Sequence, residues 1–304
     1  MPGTALVLSG GGAKGAFQVG AEAYAREVGG FKWDIIAGVS VGALNASMLA
    51  MEKYDELRAI WDTASNDKIY TGKMPSNLCD AMVTGVKILL SHKSLLGNDP
   101  LRRLIEHHYD AELLRGKDVR VGAVSLRTGA FEMFDPGRPG FREAVLASTA
   151  MPVYWPPEPV SPEFPDMVDG GLRNISPLGD VIDRDPDQIV VINCSRREPS
   201  AVDAKRVDNL VKIAARSLDI ALNEIFVTDL QEFLRINDMV AQLPPGVTLY
   251  KDKAKTRAFK NFKSYLIEPQ TSLGDTLDFS QASVQQRLAA GRRAAELVLG
   301  PAIA

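Results

Sequence analysis

Between Thr4 and Met51 the chain twice runs a short apolar segment into a glycine-rich turn and out into an amphipathic stretch. Thr4 to Leu8 passes through Ser9-Gly10-Gly11-Gly12-Ala13-Lys14-Gly15 into a helical pattern, Ala13 to Val28. Ile35 to Ala37 passes through Gly38-Val39-Ser40-Val41-Gly42 into a second one, Val41 to Met51. That rhythm of strand, helix, strand, helix predicts an α/β fold with a mostly parallel central sheet covered on both faces.

Further along, the pattern is helical but broken over residues 54–110, at Gly72, Pro75 and Gly97. Val119 to Val124 and Ala130 to Phe134 read as two strands of a hairpin around Arg127-Thr128-Gly129. A helix is expected over about 140–149. From Met151 to Pro165, six prolines stand among Tyr154, Trp155 and Phe164, which forbids regular structure and predicts an ordered, aromatic-lined loop. Gln188 to Asn193 is a strand, residues 205–240 are helical, Leu249-Tyr250 and Ser264 to Ile267 are edge strands, and a helix over about 280–299 closes the chain. Internal repeats and low-complexity tracts are absent from the sequence. One domain over 1–304 is the expected organisation, with a motif-bearing core over about 4–193 and a helical C-terminal portion over about 205–304.

Composition removes several classes of function. Of 304 residues, 45% are hydrophobic and 24% charged, ample for a large core. A net charge of -3 supplies no electrostatic pull towards nucleic acid. Two cysteines, Cys79 and Cys194, fit free thiols in a reducing, cytoplasmic setting better than a disulfide scaffold. The sequence begins without a basic n-region or signal-peptidase site. It also lacks a run of about 18 apolar residues, so membrane contact is expected to be peripheral.

Gly38-x-Ser40-x-Gly42 lies between a strand and a helix, the context of a nucleophile elbow. The turn is too sharp for side chains beside the serine, and the following helix directs its free N–H groups at a developing oxyanion. The competing reading is a hydroxyl N-cap at an ordinary strand-to-helix turn. The earlier glycine run also has two readings. As Gly10-x-Gly12-x-x-Gly15 it matches a dinucleotide fingerprint, but the acid needed for the ribose is missing: Asp34 lies at the start of the second strand, not its end. As an oxyanion hole, Gly11, Gly12 and Ala13 offer unshielded N–H groups converging on one oxygen. Lys14 either adds positive potential or is a solvated first-turn lysine. No GKS or GKT follows, which excludes a nucleotide P-loop.

A serine needs a proton acceptor. The three histidines, His92, His107 and His108, all precede residue 110, whereas an α/β-hydrolase histidine comes last; they are expected to cap or solvate helix ends. Attention passes to Met167-Val168-Asp169-Gly170-Gly171, where an aspartate ends a short strand and two glycines turn the backbone away. An Asx-turn is the alternative. A carboxylate pKa of about 3.9 is low for a base, so burial must raise it.

Together these motifs resemble the patatin-like phospholipase family, with its GGGxKG or GGGxRG loop (Gly10 to Gly15), its GxSxG elbow (Gly38 to Gly42) and its DGG motif (Asp169 to Gly171). Ala147-Ser148-Thr149-Ala150-Met151-Pro152 is similar to the run before the family's aspartate, and Asn174-Ile175-Ser176-Pro177 to the segment after it. The resemblance covers about residues 4–193. It implies a three-layer α/β/α sandwich and hydrolysis of lipid acyl esters through an acyl-enzyme. Ser40 would be the nucleophile, Asp169 the base, and Gly11, Gly12 and Ala13 the oxyanion hole. Neither metal nor cofactor is implied.

Two features are set aside. Asp183-Arg184-Asp185-Pro186-Asp187 opens like a calcium loop but has Gln188 and Cys194 where glycine and glutamate belong; a charged turn is expected. Met82, Val83, Val86, Leu89 and Leu90 form an apolar stripe beside Lys87 and Lys93, read as core ahead of a membrane-resting face. Tyr154 and Trp155 are expected to line an acyl channel, ahead of only covering the sheet edge. Beside an esterase acting on acyl lipids stand two other readings: a lipid-binding or regulatory protein that keeps the pocket without turnover, against which the intact motif residues count, and, third, a nicotinamide-binding protein. Oligomeric state and physiological lipid are not encoded in any motif.

Overall fold

The computed structural model describes residues 3–72, 94–198, 201, 207, 210–254 and 256–303. Cys79, His92, Pro75 and the Met82 to Leu90 stripe lie outside them. The strands are β1 (Thr4–Leu8), β2 (Ile35–Val39), β3 (Asp118–Ser125), β4 (Phe131–Phe134), β5 (Met167–Asp169), β6 (Gln188–Ile192) and β7 (Lys263–Ile267). They form one seven-stranded sheet of order β4-β3-β2-β1-β6-β7, with β5 also paired to β3. β3, β2, β1, β6 and β7 run parallel, while β4 and β5 are antiparallel to β3. The helices among the described residues are α1 (Gly15–Glu27), α2 (Val41–Ala50), α3 (Tyr54–Asp62), α4 (Asn66–Ile69), α5 (Asp99–His108), α6 (Ala111–Leu114), α7 (Phe141–Ser148), α8 (Leu178–Ile182), α9 (Leu210–Ala241) and α10 (Gln281–Ile303).

Residues alternate faces along each central strand, and both faces are dry. Leu6, Leu8, Ile36, Val190 and Ile192 pack into one cluster with α1, α2, α3, α7 and α10; Ala5, Val7, Ile35, Ala37, Ile189 and Val191 pack into the other with α8 and α9. The result is the expected three-layer α/β/α sandwich with a mostly parallel sheet. On α9, Leu222, Phe226, Leu230 and Phe233 are buried, one stripe at helical spacing on a largely exposed rod.

The C-terminal hundred residues, which carry no recognised motif, complete this architecture. β7 extends the sheet beyond β6, and α10 lies along α1. The two helices approach so closely that a Cβ on Gly291 would stand 1.9 Å from the Phe17 carbonyl oxygen. The other expected edge strand is corrected: Tyr250 makes only an isolated bridge to Ala258, because Pro244-Pro245-Gly246 and the turn at Lys251-Asp252 leave too little extended chain between them. The proline-rich segment is ordered by a bridge between Glu158 and Met167, and the buried Glu158 carboxylate accepts from Asn98 Nδ2 (2.7 Å) and Arg102 Nη2 (2.6 Å).

Candidate active site

Register brings Ser40 and Asp169 together. β2 pairs with β3 up to Val39 opposite Gly122, then leaves the sheet at Ser40. β5 takes the vacated edge at the next step, with Asp169 opposite Ala123. A strand from the middle of the chain thereby places its last side chain where the first motif turns away.

Ser40 has φ 58° and ψ −129°, a conformation that costs a non-glycine residue about 1–3 kcal/mol and persists only where its surroundings enforce it. Three features enforce it. A Cβ on Gly42 would fall 2.3 Å from the Leu8 carbonyl oxygen, and one on Gly38 would fall 2.2 Å from that of Gly42, so the elbow packs backbone against backbone. The Ser40 N–H donates to Ser148 Oγ (2.8 Å), whose hydroxyl donates to the Gly122 carbonyl (2.6 Å). α2 begins at Val41, with the positive end of its dipole at the serine.

Asp169 is 2% exposed. Its Oδ1 accepts from the Gly171 N–H (2.8 Å), and Gly170 lies where a Cβ would meet the Gly122 carbonyl. Oδ2 is buried without a hydrogen bond of bonding geometry. Burial pushes the carboxyl pKa up to about 6, opposed by the Ser40 hydroxyl and the Gly171 N–H. The serine is thus near enough to act on the carboxyl yet short of a formed bond.

The glycine loop faces the same spot. Gly10 donates its N–H to Ile175 O (3.0 Å), and a Cβ there would lie 3.2 Å from Ser40 Cβ. The N–H groups of Gly11 and Gly12 find no acceptor among the described residues. Ala13, expected as a third donor, has its N–H engaged by Thr276 O at 2.8 Å, which narrows the open pair to Gly11 and Gly12. Gly15 starts α1, and Lys14 lines the cleft beside the loop. A buried network joins the two motif turns: Gln18 Nε2 donates to Ser9 O (2.7 Å), Asn45 Nδ2 to Gln18 Oε1 (2.9 Å), and Trp61 Nε1 to Asn45 Oδ1 (3.0 Å).

Two cavities meet at Ser40. One, of about 100 Å³, is apolar and runs along α2, lined by Leu44, Met48, Met51, Trp61, Leu104 and Trp155 among others. The other is a polar cleft lined by Gly11, Lys14, Asp169, Arg196, Arg216 and Asn223 among others. Trp155 of the proline loop does line the apolar cavity, whereas Tyr154 packs with Leu96 and Leu222 beside it.

The decoys resolve. His108 Nδ1 lies 2.9 Å from Glu56 Oε2, its ring edge-on to His107; no hydrogen bond joins either to Ser40. Asp34 Oδ2 accepts the Thr4 N–H (2.8 Å), a structural tie at the opposite end of the strands. Asp183 pairs with Lys251 and Arg257, and Asp185 with Lys260, as a charged turn would. Cys194 is a buried free thiol, pushed up to about 12 by burial.

The model of the family described as patatin-like phospholipase matches residues 6–182, more than half of the chain and every motif above. The chain belongs to this family. A solved structure of VipD from Legionella pneumophila is also similar, at 16% identity over 99% of this chain and 67% of that one, with a TM-score of 0.48; the assignment rests on the family match and not on that likeness. No curated protein matches. Membership of the patatin-like phospholipase family supports hydrolysis of lipid acyl esters in general. Ser148, Gln18, Asn45 and Thr276 went unseen in the sequence as parts of the patatin-like site. Only Ser148 left a trace, inside the Ala147 to Pro152 run.

Proposed function

We propose that this chain is a serine lipid acyl hydrolase working through a Ser40–Asp169 dyad, on esters whose acyl chain enters the apolar cavity and whose polar remainder occupies the cleft. The observation that carries this reading is the buried carboxyl of Asp169 beside a strained Ser40, the one described residue that lines both cavities. A pKa of about 6 suits a base working near neutrality. In the first step Ser40 Oγ attacks the ester carbonyl carbon as its proton passes to Asp169. The carbonyl oxygen becomes an oxyanion that accepts from the Gly11 and Gly12 N–H groups, backed by the α2 dipole. Collapse breaks the bond to the alcohol oxygen, which takes the proton back from Asp169. Water, deprotonated by the same carboxylate, then attacks the acyl-Ser40 ester and frees the fatty acid.

α2 rises about 1.5 Å per residue, so a cavity from Ser40 to Met51 offers roughly 15 Å to an extended acyl chain. Such substrates reside in membranes. Among the described residues no helix is long and apolar enough to cross one, and peripheral, cytoplasmic contact is the mode we favour. We also read 1–304 as one hydrolase domain, since β7 and α10 finish the sheet and core that the motif region begins.

The test is intact-protein mass after incubation with a long-chain fluorophosphonate, followed by peptide mapping. One adduct on the Ser40 peptide, lost in Ser40→Ala and suppressed in Asp169→Asn, is expected. An unlabelled wild type, with vesicles present, overturns the reading in favour of lipid binding without turnover.

A further inference from the structure

One of the most deeply buried charged side chains among the described residues lies far from both glycine motifs in sequence. Arg287, on α10, is 2% exposed, and its guanidinium makes no salt bridge among the described residues. Its hydrogen bonds all go to backbone carbonyls: Nε to Leu273 O (2.8 Å), Nη2 to Asp275 O (2.9 Å), and Nη1 to Asp278 O (2.6 Å) and Ala13 O (3.1 Å). Three of those acceptors belong to one strap, residues 273–278; the fourth belongs to the glycine loop. A planar fork of fixed donors is the one side chain able to gather carbonyls in this way.

The strap touches the same residue from its other side, because Thr276 O accepts the Ala13 N–H at 2.8 Å. Ala13 is therefore held at both its N–H and its C=O. At the other end of the loop Gly10 is held by Ile175 O. Between these anchors stand the peptide N–H groups of Gly11 and Gly12, which have no acceptor of their own among the described residues. The contact is tight as well as bonded: a Cβ on Gly12 would stand 2.5 Å from Thr276 O.

We propose that Arg287 is a positioning residue for the oxyanion hole, clamping the 273–278 strap onto Ala13 so that the Gly11 and Gly12 N–H groups are held towards Ser40 before substrate arrives. The proposal rests on the hydrolase reading above. It also assigns the C-terminal segment a part in chemistry: donors aimed in advance at where charge develops act without reorganising during the reaction.

The experiment compares wild type with Arg287→Lys, which keeps a charge but loses the fork, and with Thr276→Gly, which loosens the strap at a half-buried loop position and leaves Arg287 in place. Each is checked for folding by circular dichroism and thermal melting, and active Ser40 is titrated. Steady-state kinetics on a soluble ester are then set beside affinity for a trifluoromethyl ketone, whose Ser40 adduct carries an oxyanion, and for the product fatty acid, which does not. Arg287→Lys is expected to lose about tenfold to a hundredfold in kcat, on the scale of a weakened oxyanion donor, with KM within about twofold. Ketone affinity falls in parallel and fatty-acid affinity holds. Thr276→Gly is expected to show the same split at smaller size, and serves as the deciding variant should Arg287→Lys fail to fold. A folded variant whose kcat per titrated Ser40 and ketone affinity match wild type overturns the role of Arg287 while leaving the hydrolase reading intact. A wild type that neither turns over nor labels at Ser40 sinks the hydrolase reading, and this role falls with it.

Discussion

Ser148 Oγ accepts the backbone N–H of Ser40 at 2.8 Å and its hydroxyl donates to Gly122 O at 2.6 Å. It is completely buried, so it ties the elbow to β3 without touching solvent. Removing it strands a buried donor and a buried acceptor, at about 1–3 kcal/mol for each group left unpaired. Ser148→Ala is expected to be destabilised by about 2 kcal/mol in urea melts and, once folded, to lose roughly tenfold in kcat as Ser40 relaxes from its strained turn. Unchanged kcat would show that the glycine packing alone holds the elbow.

In its proposed role of base, the Asp169 carboxyl also sets a pH limit on turnover. With its pKa near 6, the base is protonated and idle in acid. The logarithm of kcat/KM is expected to fall with unit slope below about pH 6 and to level above it. A profile flat down to pH 4.5 would remove Asp169 from the role of base.

Stability should run the other way. In the folded chain this carboxyl holds its proton more tightly than the ordinary aspartate does, so its contribution is complete below about pH 4 and is lost as pH rises through 6. A shift of about two units corresponds to roughly 3 kcal/mol surrendered at pH 8. Asp169→Asn cannot ionise and keeps an acceptor for the Gly171 N–H. It is expected to be more stable than wild type at pH 8 and nearly equal at pH 4, by thermal or urea unfolding. A variant less stable at both pH values would mean that the burial penalty is not expressed.

Chain-length preference should answer to Met48. It lines the apolar cavity two turns of α2 beyond Ser40, roughly 12 Å along the helix. Met48→Trp is expected to cut hydrolysis of long-chain esters about tenfold or more while sparing butyrate esters, read from kcat/KM across a series. An equal effect on both lengths would place the acyl chain elsewhere.

How much of this was readable from the residues depends on how locally each function is encoded. Ser40, Asp169 and the Gly10 to Gly15 run announce themselves because a sharp turn or close backbone approach admits only glycine at neighbouring positions, and strand-turn-helix context follows from local hydrophobic period. The mostly parallel sheet is legible for the same reason, whereas its strand order is not. Ser148, Thr276 and Arg287 act on backbone atoms contributed by distant elements, Thr276 through a carbonyl that every residue possesses, so no local pattern marks them. Ala13 shows the limit from the other direction: its N–H looks open in the sequence and is closed only by a carbonyl arriving from residue 276. Leu249-Tyr250 has strand composition but too short an extended run between its turns, and only tertiary placement decides such cases.

Of the described strands, β1 is made earliest and waits longest for a neighbour. It sits between β2 and β6, so one of its two ladders stays open until residues 188–192 leave the ribosome, and the α10 helix that packs on α1 follows almost a hundred residues later still. The seat that brings Asp169 to Ser40 is likewise filled only after four strands are in place. Ser40 and Asp169 therefore cannot meet on a nascent chain that stops short of β5. This order of synthesis also leaves one apolar edge of β1 unpaired on the nascent chain until β6 is made.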